Sequence, residues 1–151
     1  MCIIINKPEN VLVPHKYLEE SWKYNKDGAG FMYAEDNKLH IKKGFMQYES
    51  FMEEYTKHED KPCTLHFRLT THGDTNQDNT HPFRVGETLG FAHNGVISRV
   101  NCNDDRTLSD TNHFNTKYLQ KIYATNPNFI TDPVYQGLIE AFIGGSKLVW
   151  R

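Results

Sequence analysis

The run Cys2-Ile3-Ile4-Ile5 places three β-branched residues at the start of the chain, where most domains leave a solvated tail. Isoleucine is stiff at χ1 and packs well on a pleated surface. Asn6–Lys7–Pro8 then closes the run with turn-prone residues. Residues 2–5 are therefore expected to form a short buried strand. Such a strand anchors the N-terminus inside the fold, and whatever residue 2 carries is anchored with it.

The elements that follow are read from hydrophobic period. Tyr17, Leu18 and Trp22 recur at helical spacing after Pro14, and Asn25–Lys26–Asp27–Gly28 ends that helix. Residues 30–34 and 38–43 read as a hairpin joined at Glu35–Asp36–Asn37, with Leu39 and Ile41 on one face. Tyr48, Phe51, Met52 and Tyr55 follow the i, i+3, i+4, i+7 pattern of an amphipathic helix whose stripe packs on the core. Residues 64–70 alternate, with Leu65, Phe67 and Leu69 on a core face and His66, Arg68 and Thr70 on a face free for chemistry. A polar loop over 71–80 leads through His81–Pro82–Phe83 to an apolar strand over 88–93. Ser109 or Asp110 is expected to cap a helix with Phe114, Tyr118 and Ile122 on its stripe. Asp132–Pro133 opens a helix that stops at Gly144–Gly145, and residues 146–150 close as a strand. The order β, α, β-β, α, β, β, α, α, β implies an α+β protein with largely antiparallel sheets.

Bulk properties narrow the function classes. A length of 151 residues with 38% hydrophobic content suits a single domain, 1–151, with one real core. The net charge of −2 is scattered, without the basic stripe that nucleic acid or an anionic membrane surface would require. No leader-like or membrane-spanning apolar run is present, so a cytoplasmic protein is expected. The cysteines Cys2, Cys63 and Cys102 are odd in number and lack CxxC spacing, which argues for reduced thiols over disulfides or structural zinc. Among the eight histidines no HExxH or comparable ligand spacing occurs, so metal-dependent hydrolysis is disfavoured and no cofactor is expected.

Cys2 is the most informative residue. Initiator methionine is generally removed when the next side chain is small, and the new terminus would then carry a thiol and an α-amine on one residue. The amine, with a reference pKa of about 7.7–8.0, is partly free near neutral pH to take the thiol proton. A buried strand cysteine is the bland alternative. Four other segments stand beside it in order: Asn25–Lys26–Asp27–Gly28–Ala29–Gly30, His66–Phe67–Arg68–Leu69–Thr70–Thr71–His72–Gly73 followed by His81–Pro82–Phe83, His93–Asn94–Gly95–Val96–Ile97, and Ser109–Asp110–Thr111.

In that order they resemble the class II glutamine amidotransferases, a family of N-terminal nucleophile (Ntn) hydrolases that includes the glutaminase domains of glucosamine phosphate synthase and amidophosphoribosyltransferase. The likeness is greatest to short stand-alone members from bacteria and bacteriophages, and it runs from Cys2 to about Val149. It implies a four-layer αββα sandwich, with the C-terminal strands of longer relatives lacking. It makes Cys2 the nucleophile, Arg68 the cation that holds a substrate α-carboxylate, and Thr71 and His72 walls of the same pocket. Asn94 and Gly95 become the oxyanion hole, Asp110 the acid that binds the α-amino group, and Asp27, Gly28 and Gly30 a supporting loop beside the nucleophile. The implied reaction is hydrolysis of the side-chain amide of glutamine, or of a γ-glutamyl-type amide, through a cysteine thioester, once Met1 is removed. No metal is called for. Released ammonia would pass to a separate acceptor synthase, in a host cytoplasm if the chain is phage-encoded. Two features depart from the family pattern, Ile3 where Gly commonly follows the cysteine, and a chain ending at Arg151. The alternative reading is an inactive glutamine-binding or protein-interaction module of the same fold.

Overall fold

The computed structural model describes all residues, Met1–Arg151. Strands β1 (Ile3–Lys7), β2 (Ala29–Glu35), β3 (Lys38–Phe45) and β4 (Cys63–Phe67) form an antiparallel sheet in the order β1-β4-β2-β3. Strands β5 (Phe83–Arg84), β6 (Gly90–Asn94) and β7 (Lys147–Trp150) form a second antiparallel sheet in that order. Helices α1 (His15–Tyr24) and α2 (Tyr48–Tyr55) belong to the first sheet. Helix α3 (Asp110–Phe114), a π turn (Asn115–Leu119), α4 (Gln120–Thr125) and α5 (Pro133–Ile143) belong to the second. The fold is α+β with two antiparallel sheets, as the element order implied.

Each sheet is covered by helices on one face. Leu18 of α1 and Phe51 and Tyr55 of α2 pack on Phe31, Leu65 and Phe67, all fully enclosed. Phe51 meets Phe67 edge-on with centroids 5.1 Å apart. Each such side chain contributes about 1.5–3 kcal/mol by leaving water. On the second sheet, Phe114, Leu119, Phe129 and Ile143 cover Phe83 and Phe91. Phe114 and Leu119 are five residues apart and both buried. The π turn puts them on one side, so the expected uninterrupted α-helix is broken there, and Tyr118 of the expected stripe is partly exposed.

Several boundaries move for identifiable reasons. β1 extends through Asn6 and Lys7 because both pair with β4, Asn6 opposite Thr64 and Lys7 opposite Cys63. β4 stops at Phe67 rather than Thr70: Arg68 N–H still reaches the neighbouring backbone at Gly28 O, but Leu69 N–H goes to the Cys2 sulfur and Thr70 N–H to the Asp27 carboxylate. Leu69 is consequently exposed and not on the core face expected for it.

The face of β4 expected to be free for chemistry is instead buried against the second sheet. His66 stacks on His81, with centroids 4.0 Å apart and planes 7° from parallel. His66 donates its Nε2–H to the carbonyl of His93 at 3.0 Å, while His93 N–H donates to His81 Nδ1 at 3.1 Å. A carbonyl only accepts and a backbone N–H only donates, so each ring is held as one neutral tautomer. Gly30 lies opposite. A Cβ there would sit 2.2 Å from His81 O and 2.8 Å from Lys42 O, so only glycine allows this approach.

Two predictions follow from this interface. Burial pushes the His66 imidazole from its ordinary 6.5 down to about 3, and burial also lowers His81, with Lys43 and Arg68 adding in the same direction. The unfolded chain therefore binds more protons than the folded one between those limits. Stability is full above about pH 6.5 and falls as pH drops towards 3, by up to about 1.4 kcal/mol per pH unit for each such ring. Urea melts from pH 8 to pH 4 check this, and a flat profile below pH 6.5 would refute it. Gly30→Ala should lower stability by about 1–3 kcal/mol through overpacking of the sheet interface, measured as a fall in Tm with the secondary structure retained.

Candidate active site

The β1–β4 register places Ile3 opposite Phe67, so the residues just outside the ladder, Cys2 and Arg68, come level. Leu69 closes over the thiol: its N–H donates to Cys2 Sγ at 3.4 Å and its carbonyl accepts from the thiol at 3.5 Å. Burial pushes the Cys2 thiol up from its ordinary value, and the Leu69 N–H, the Met1 ammonium and Arg68 pull it back. The balance is a protonated thiol, which needs a base before it can attack.

Asp27 and Gly28 lie beside this segment. Gly28 O accepts Arg68 N–H at 2.8 Å, Asp27 N–H donates to Arg68 O at 3.1 Å, and the Asp27 carboxylate takes Thr70 N–H at 2.8 Å. They extend the sheet edge and fix residues 68–70, a supporting role. Gly30 is not part of that loop. It sits inside β2 at the sheet interface, for the steric reason given above.

Arg68 is buried, not a solvated residue at a strand end. Its fork is turned on the polar loop, with one nitrogen donating to Asp74 O at 2.9 Å and the other to His72 O at 3.0 Å. It forms no ion pair with any carboxylate. Burial pushes the guanidinium down from its ordinary range, while Cys2, Asp27 and Asp110 act the other way. A buried cation met only by neutral carbonyls is poorly compensated, and three of its five N–H groups remain available to an anion. Asn79, fully buried, pins the same loop from its far side. It donates to Asp74 O at 2.9 Å and Thr107 O at 2.7 Å, and accepts from Ser109 N–H at 2.8 Å.

Asn94 ends β6 and Gly95 follows at φ +136°, but they do not form a hairpin turn. The strand that pairs next with β6 is β7, some fifty residues later. A Cβ on Gly95 would lie 2.4 Å from Ser146 Oγ. The Asn94 side chain makes no hydrogen bond, and its Oδ1 is enclosed without a partner. Ser109, not Asp110, caps α3, accepting Asn112 N–H at 3.1 Å. Asp110 is free of capping and is engaged elsewhere: Oδ2 takes Ile97 N–H at 2.6 Å and Oδ1 takes Thr111 N–H at 2.8 Å. It therefore anchors the segment after Gly95, and Asp110→Asn would set an NH2 group against a backbone donor.

Cys2, Arg68, Thr71, His72, Gly95 and Asp110 line one cleft, together with His81, His93 and Thr111. Asn94 is not among the residues that line it, although His93 before it and Gly95 after it are. The cleft measures about 20 Å³, room for about one water molecule. A hollow of about 530 Å³ adjoins it, sharing His72 and Asp110 and walled by residues 96–103. The His66 and His81 rings bind the backbone of His93, and the His93 ring meets Thr111 Oγ1, so these imidazoles do not converge, and no group of three His, Cys, Asp or Glu side chains is placed to hold a metal ion.

Met1 is exposed, and its carbonyl accepts from Asn25 Nδ2 at 2.8 Å. Asn25, Asn79, His81 and His93 are the site-building residues that motif reading passed over. Asn25, His81 and His93 lie within the quoted motifs, so proximity to the assigned residues was a usable signal. Asn79 had none, as one polar residue in a polar loop.

No helix is long and apolar enough to cross a membrane. No protein-family model matches the chain, and no curated protein matches it.

Proposed function

We propose that the chain is a glutaminase-like amidohydrolase of the class II glutamine amidotransferase type, on a four-layer αββα Ntn sandwich. The observation that carries this reading is the convergence on one cleft of Cys2, Arg68, Thr71, His72, Gly95 and Asp110, which come from separate segments of the chain. Helices on the outer face of each sheet, with the inner faces meeting at His66 and His81, support the sandwich.

In the proposed reaction Met1 has been removed and the Cys2 α-amine takes the thiol proton. The thiolate attacks the side-chain amide carbon. The oxygen that becomes negative is met by the uncommitted Asn94 amide and Gly95 N–H, donors of the kind whose loss costs on the order of a hundredfold in rate. The amine returns its proton to the leaving nitrogen, ammonia departs, and water hydrolyses the γ-glutamyl thioester to free the thiol. Arg68 supplies the countercharge to a substrate carboxylate, with N–H groups left over from its loop contacts. Asp110 offers negative charge towards the amino end through lone pairs not used by Ile97 and Thr111. The cleft itself has no room for glutamine, so binding requires its walls to part, and the adjoining hollow offers space for the rest of the substrate. No acceptor site is assigned, so ammonia goes to a separate synthase or to solvent.

The second reading, a binding module without turnover, applies to a chain that keeps Met1, in which the nitrogen of Cys2 is an amide and not a base.

Intact-mass measurement before and after incubation with a diazoketone glutamine analogue separates the two readings. A mature chain starting at Cys2 and labelled once, on Cys2, is expected. Cys2→Ala should lose both labelling and ammonia release from glutamine, and undiminished ammonia release from that variant would remove Cys2 from the chemistry. Asn94→Ala should lower kcat by about a hundredfold with little change in KM, because its amide is used chiefly on the developing charge. An unaltered kcat would leave Asn94 as a strand terminator.

A further inference from the structure

Asn25 is 3% exposed and terminates α1, its own N–H bonded to Ser21 O at 3.0 Å and Trp22 O at 3.2 Å. Its side chain turns away from the helix to the start of the chain. Nδ2 donates to Met1 O at 2.8 Å and, more weakly, to Phe67 O at 3.4 Å. The nitrogen of Cys2 lies two covalent bonds from that Met1 oxygen. Asn25 therefore grips the peptide unit that joins residue 1 to the thiol-bearing residue, from a helix end that is fixed independently.

Resting on the N-terminal nucleophile reading above, we propose that Asn25 is a positioning residue for the α-amino group of Cys2, holding it beside Sγ once Met1 has left. Loss of Met1 removes the carbonyl that Nδ2 bonds and puts an amine in nearly the same place. The amide turns to present Oδ1 to one amine N–H, and the nitrogen lone pair is left to face the thiol. The residue type suits this task. An uncharged amide holds the amine without the strong preference for its protonated form that a carboxylate would impose, so the amine stays basic near neutral pH. The carboxylate nearest in sequence, Asp27, is turned to Thr70 N–H instead.

The test uses full-length chains purified with Met1 removed, checked by intact mass, as wild type, Asn25→Asp and Asn25→Ala. Two profiles are recorded against pH: alkylation of Cys2 by iodoacetamide, followed on the N-terminal peptide, and ammonia release from glutamine. Asn25→Asp should move the acidic limb of both upward by about one pH unit, because an anion favours the ammonium form. Asn25→Ala should slow Cys2 alkylation at pH 7 and lower kcat by at least about tenfold, with KM within about twofold. Melting curves establish that the variants fold, and Asn25→Ser replaces Asn25→Ala if that one does not. Superimposable profiles for wild type and Asn25→Asp would overturn the role, as would chains that retain Met1 when expressed in their native setting. A shifted alkylation profile in chains that release no ammonia would sustain Asn25 as the amine's holder while removing the glutaminase reading.

Discussion

The backbone of His93 is the point on which the two sheets and the cleft depend. His66, from the first sheet, bonds its carbonyl, and His81, at the entry to the second, bonds its N–H. The rings that do this lie face to face between the sheets. Neither can take a proton without losing an acceptor or burying a charge, and burial holds both in the neutral form. The next two residues of the chain are Asn94, which ends β6, and Gly95, so the proposed oxyanion donors inherit their position from an interface made of neutral imidazoles. The His93 ring continues the chain of contacts, meeting Thr111 Oγ1 at 2.7 Å beside Asp110.

Charge in the cleft is treated differently. Arg68 and Asp110 are both buried and neither is paired with the other. Each instead orders backbone, Arg68 through the carbonyls of His72 and Asp74, Asp110 through the N–H groups of Ile97 and Thr111. The two walls of the cleft are thus held by ions whose charge is only partly satisfied. That is a costly arrangement for stability alone, since buried charges are normally compensated. Under the proposed function, a ligand carrying both a carboxylate and an ammonium would complete the compensation that the protein leaves undone.

Much of this was legible along the chain. The amphipathic period of 48–55, the hairpin over β2 and β3, and the Pro14 and Asp132–Pro133 helix starts all follow local rules, and the structure keeps them. Legibility failed where a backbone group took a partner distant in sequence. Thr70 could not be excluded from β4 without knowing that Asp27 would claim its N–H, and Asn94–Gly95 has the local form of a hairpin turn although its neighbour strand comes from the C-terminus. Asp110 and Ser109 are both good caps, and only the reach of Ile97 N–H decides that the carboxylate is used elsewhere.

By itself, the sequence determined a strand next to residue 2, though one that starts at Ile3, lies at the sheet edge and is only partly buried, together with the α+β order of elements and the identities of the side chains with nucleophilic, cationic and anionic character. These depend on β-branching, hydrophobic period and functional-group chemistry, which are properties of single residues and their near neighbours. Only the tertiary structure decided that Arg68 is buried and aimed at a loop, that His66 faces another sheet instead of solvent, and that Asn25 holds the peptide preceding Cys2. The physical reason is the same in each case. Hydrogen-bond partners and burial are set by which segments meet in space, and a chain's local pattern carries no record of a partner forty residues away.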